Sequence, residues 1–76
     1  MSVQDEALAG MVSNAFMQDK RVSGQAIAAR VVDGDVFLKG IVDTEEQKAL
    51  AVMIVNGVAG VRHVNGDELR VREGME

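Results

Sequence analysis

The chain has no cysteine, proline, tryptophan or tyrosine, and only two phenylalanines. Without cysteine there is no disulfide to staple a small fold and no thiolate to hold a metal. The same absence leaves the redox compartment unmarked. Without proline, turns must be made by glycine, asparagine and aspartate. No run approaches the roughly 20 apolar residues that span a bilayer. The first ten residues carry Asp5 and Glu6 and lack a basic start followed by an apolar stretch, so no secretory signal is recognised. The sequence as written therefore predicts a cytoplasmic protein. If these residues belong to a longer protein, a periplasmic or envelope location is expected instead.

What is present is ordinary globular material. At 76 residues the chain holds a single domain. An ordered core of about 3–72 is expected, with a frayed tail at 73–76. A hydrophobic share of 47%, rich in valine, rules against disorder. The net charge is -4 with eight Lys and Arg, which argues against nucleic acid as a partner. It also weakens purely electrostatic adhesion to anionic lipid. The local basic groups are Lys20 with Arg21, and a looser set of Arg62, Arg70 and Arg72.

Periodicity predicts five elements. Leu8, Met11, Val12, Ala15 and Phe16 recur at spacings of three and four and form one helical stripe. Ser2 and Asp5 have capping-box spacing, and Asp5 and Glu6 suit the positive end of the helix dipole. The helix is expected to end near Asp19–Arg21, with cations facing its C-terminal dipole. Two alternating runs then flank Asp33-Gly34, the signal of a two-residue hairpin, because a type I′ turn needs positive φ at both central residues. Such a loop predicts the register: Val32 opposite Asp35, Val31 opposite Val36, Arg30 opposite Phe37 and Ala29 opposite Leu38. Ile27, Ala29, Val31, Val36, Leu38 and Gly40 then share one face.

A second helix starts at Asp43 or Thr44, with Glu45 and Glu46 in its first turn and Leu50, Ala51, Ile54, Val55 and Val58 as its inner stripe. Gly57 and Gly60 stop it. A last strand from Val61 to about Arg72 is interrupted at Asn65-Gly66-Asp67, which reads as a bulge or tight turn. The predicted fold class is α+β, in the order α-β-β-α-β. A right-handed crossover sets two helices on one face of a three-stranded mixed sheet and leaves the other face open.

Ala15-Phe16-Met17-Gln18-Asp19 closes the opening helix. Asp33-Gly34 is followed by a V-x-L-x-G-x-V strand, Val36-Phe37-Leu38-Lys39-Gly40-Ile41-Val42. Val58-Ala59-Gly60-Val61-Arg62-His63-Val64 makes a V-x-G-V-x-x-V step. In these three stretches the chain resembles the BON domain family. Two departures stand out. Leu69 and Val71 fall one residue late, as though Asn65-Gly66 were an insertion, and Phe37 and Ile41 stand where the family is usually polar. The resemblance implies a binding or adaptor domain of bacterial envelope and stress-response proteins, with phospholipid or membrane attachment as its suggested role. It carries over no catalytic residues.

The residues themselves offer no catalytic constellation. His63 is the only histidine and has neither a cysteine nor a second histidine to share a metal, so a surface histidine is the expected reading. Asp33 and Asp35 flank Gly34 and offer too few oxygens for calcium, which takes six to eight. No phosphate-binding glycine pattern occurs. A non-enzymatic module without cofactor or metal is expected.

Apolar surplus is the remaining signal. Ala28, Val32, Phe37 and Ile41 fall on the open sheet face, with Arg30 and Lys39 among them. Ala49, Val52 and Met53 fall on the second helix opposite its core stripe. The candidate contact residues are therefore Ala28, Arg30, Val32, Phe37, Lys39, Ile41, Val52 and Met53. The expected partner is a phospholipid surface. The alternative is a protein, including a second copy of the chain bound through the open sheet face.

Overall fold

The computed structural model describes residues 3–72. The Ser2 cap and the tail from residue 73 lie outside the described residues. The element order is α1 (Val3–Gln18), β1 (Ala26–Val32), β2 (Asp35–Val42), α2 (Glu45–Asn56) and β3 (His63–Val71). The sheet order is β1-β2-β3, antiparallel between β1 and β2 and parallel between β2 and β3. The fold is α+β, as the periodicity predicts.

One cluster forms the core. Leu8, Val12 and Phe16 of α1 and Ala51 and Val55 of α2 meet Val31, Val36, Leu38, Val42 and Leu69 of the strands. Both helices therefore cover the same sheet face. Met11 was expected in the α1 stripe but is 48% exposed. It stands about 100° around the helix from Val12, on the flank of the buried arc. Val22 was not expected in the core, yet it is buried from within the loop between α1 and β1. A single valine between turn residues has no periodicity to reveal it.

α1 ends at Gln18, before the expected cations, and no basic residue lies in its last turn. The Arg21 guanidinium does not serve the helix dipole. It pairs with the Asp19 carboxylate at 2.7 Å instead. That hydrogen bond, aided by the Arg21 backbone N–H, holds the Asp19 carboxyl down to about 2. α2 is capped by Thr44: its hydroxyl accepts from the Gln47 N–H, and the Gln47 side chain accepts from the Thr44 N–H. This reciprocal box frees Asp43 from the capping role.

The hairpin has the predicted register at every pair. Asp33 and Gly34 both take positive φ, 51° and 84°. Their amides point the same way and converge on one anion, the buried Asp5 carboxylate, at 3.0 and 3.3 Å. The Gly34 carbonyl accepts from the Arg62 N–H at 2.8 Å. The turn is thus tied both to the start of α1 and to the approach to β3. Asp5 does more than complement a helix dipole, because it joins segments 28 residues apart.

The last strand begins at His63, two residues later than expected. The interruption is a bulge. Phe37 pairs with Asn65, but Lys39 pairs with Glu68, so two residues of β3 oppose one of β2. The Asn65 side chain accepts from the Asp67 N–H at 2.9 Å and so satisfies an amide beside the break in the ladder. Val64 and Leu69 are five residues apart and would face opposite sides of a regular strand. The bulge takes up the extra residue and so returns Leu69 to the core face, where it is fully buried.

Candidate functional site

No described strand or helix covers the second face of the sheet. The pairings lay it out in rows: Val32, Asp35 and His63; Arg30, Phe37 and Asn65; Ala28, Lys39 and Glu68; Ala26, Ile41 and Arg70. Only Ala26 and Ile41 set two apolar residues side by side in these rows. Val32, Phe37, Ala28 and Ile41 form a zigzag across the hairpin, with a charged residue beside each step. Val32 is 43% exposed, whereas Phe37 and Ile41 are half-buried. The Arg30 guanidinium lies 5.5 Å from the centre of the Phe37 ring and covers it. A shallow depression of about 220 Å³ runs between Ala28, Arg30, Phe37, Lys39 and Glu68.

The electrostatics follow from the same rows. Arg30, Lys39 and Arg70 supply three cations, spread over three strands and exposed. Glu68 lies beside Lys39, and Asp35 sits at the turn end beside the exposed His63. The Asp35 Oδ1 is shielded from solvent and has no hydrogen-bond partner among the described residues. Such an acceptor is costly to bury. The cationic end lies toward Arg30, Lys39 and Arg70.

Six of the eight predicted contact residues meet on this face: Ala28, Arg30, Val32, Phe37, Lys39 and Ile41. Val52 and Met53 do not join them, because α2 lies on the other side of the sheet. Val52 was expected opposite the core stripe and is instead half-buried. Its methyl group lies close to Gly66, where an added Cβ would approach it to 3.3 Å. The bulge in β3 makes this contact, and no helical period foretells it. Met53 is 65% exposed. With Ala49 and Leu50 it lines an open hollow beside Arg21. Sequence reasoning missed Arg70 as a member of the sheet face, since its side depends on the bulge.

A second hollow lies at the turn end, against Gln4, Met11, Gly60 and Arg62. Its buried carboxylate, Asp5, is already engaged by the hairpin amides. Among the described residues no group of three or more His, Cys, Asp or Glu could hold a metal ion. No described helix is long and apolar enough to cross a membrane.

The family model for the BON domain matches residues 4–73, nearly the whole chain. The chain belongs to the BON domain family. BON domains are binding modules and a non-catalytic class. None of the curated proteins compared with this BON domain matches it.

Proposed function

We propose that this BON domain attaches to anionic phospholipid surfaces through its open sheet face. The observation that carries this reading is that the open face presents Arg30, Lys39 and Arg70, the first two at a shallow depression floored in part by Ala28 and Phe37, on a chain of net charge -4. Each cation near an anionic leaflet contributes about 1 kcal/mol, so attachment is reversible and sensitive to salt. Phe37 and Ile41 are recessed, which limits them to shallow contact with the interface. Glu6, Glu45 and Glu46 lie on the helices and are repelled by the same surface. The charge distribution therefore favours approach with the sheet face leading.

Vesicle co-sedimentation tests this reading. Binding to phosphatidylserine-containing liposomes, weaker in phosphatidylcholine alone and weaker at physiological than at low salt, is expected. Replacing Arg30 and Lys39 together by Glu should abolish it, and Phe37→Ser should weaken it. Binding that survives Phe37→Ser unchanged would move the contact off this part of the face. No binding to either vesicle at either salt concentration would leave a protein partner as the occupant of the face.

A further inference from the structure

The two edges of the sheet are defended unequally. β3, at one edge, carries the bulge and the charges Asp67, Glu68 and Arg70. Bulges and charges are the usual guards against edge-to-edge pairing. β1, at the other edge, is seven residues long, with neither bulge nor proline and with Arg30 as its single charge. In a two-residue hairpin the pair closing the turn is hydrogen-bonded, and bonded pairs then alternate along the ladder. Ala26, Ala28, Arg30 and Val32 therefore bond to β2, and the backbone groups of Ile27, Ala29 and Val31 point to the outer edge. The Ile27 N–H bends back to the Gln25 carbonyl. Among the described residues no hydrogen bond reaches the outer edge of β1 between residues 28 and 32.

We infer that β1 pairs antiparallel with β1 of a second copy, centred on Ala29, to form a two-fold dimer with one continuous sheet. The register follows from the side chains. Centring on Arg30 would set two guanidiniums directly opposite each other. Centring on Ala28 would leave Val31 and Val32 without partners in the opposing strand. Centring on Ala29 uses the whole strand. Ala29 then meets the partner's Ala29, and Ile27 meets the partner's Val31 on the helix side. Ala26 meets the partner's Val32, and Ala28 meets the partner's Arg30, on the open side. The small Ala28 leaves room for the long guanidinium side chain. Pairing also covers Val32, which is 43% exposed. The two-fold axis runs perpendicular to the sheet, so the open faces of both copies lie on the same side.

Sedimentation equilibrium from micromolar to millimolar protein, without lipid, tests the dimer apart from the lipid reading. A reversible monomer–dimer equilibrium is expected. Ala28→Lys sets a cation opposite the partner's Arg30 at two symmetric places and should weaken the dimer roughly tenfold. Ala28→Glu should tighten it by a similar factor. Adding Arg30→Glu to Ala28→Lys should restore it. Ala29→Pro removes the edge amide and should leave a monomer, and circular dichroism establishes that this variant folds. A chain that stays monomeric at millimolar concentration overturns the inference. So does a dimer indifferent to the Ala28 and Arg30 charges, because it would use another surface.

Discussion

Along β2 the residues Val36, Leu38 and Val42 are fully buried, while Phe37, Lys39 and Ile41 between them face a surface that no described helix or strand covers. The two faces share a backbone, a length and a set of hydrogen bonds. They differ only in which alternate side chain each takes. The inner face meets two helices and tolerates little change, because close-packed interiors do not absorb added or missing atoms. The outer face mixes cations, small residues and a covered ring, and its packing places few demands on it. Stability resides in one set of alternate residues, and the proposed contact surface is the other.

The largest expected effect breaks the inner side at its tightest point. Gly40 has φ 143°, and a Cβ there would run into the Ala26 carbonyl across the ladder. Gly40→Ala should cost about 4 kcal/mol, read as a fall in the urea midpoint, or prevent folding. Leu69→Ala empties the inner side at β3. Leu69 is fully buried, so its truncation leaves a cavity and a loss of about 3 kcal/mol by the same measurement.

Asp5→Ala attacks the turn that joins the faces. Two hairpin amides lose their acceptor, and a loss of about 2 kcal/mol is expected. Faster hydrogen exchange at Asp33 and Gly34 would localise it. Phe37→Ser acts on the outer face alone and should cost about 1 kcal/mol in thermal denaturation while weakening vesicle binding. If Phe37→Ser destabilised as much as loss of Leu69, the contrast between the faces would fail.

The smallest effect lies off both faces. The Asp19 carboxyl is held at about 2, below its ordinary 3.8, chiefly by the Arg21 hydrogen bond. A carboxyl lowered by folding contributes stability above its ordinary value and loses it as pH falls toward 2. The difference between the parent chain and Asp19→Asn should therefore be small at neutral pH and vanish near pH 2. The pair is exposed and weak.

Much of the fold was legible in the residues. Asp33-Gly34 between two alternating runs dictated the hairpin register, because turn geometry and pleat act over neighbouring residues. A cap at Asp43 or Thr44 was expected, and the structure closes it at Thr44 with Gln47. The family match over residues 4–73 accords with the three stretches that resembled it. The candidate site was legible where it lay on the hairpin, at Ala28, Arg30, Val32, Phe37, Lys39 and Ile41, since two adjacent strands share a predictable face.

Other features depended on segments distant in the chain. The sequence marked Asn65-Gly66 as an irregularity. Only the parallel pairing with β2 decided that a bulge absorbs the extra residue, which keeps Leu69 inward and Arg70 outward and sets Gly66 against Val52. Asp5 had the composition of a helix start, and its engagement with the hairpin turn required α1 to lie across that turn. Val22 carried no pattern and was buried by what closed over it. Local geometry, set by alternation and turn chemistry, was determined by the sequence alone. Which side chains met across the crossover was decided by tertiary structure, because burial depends on the neighbours that folding brings together.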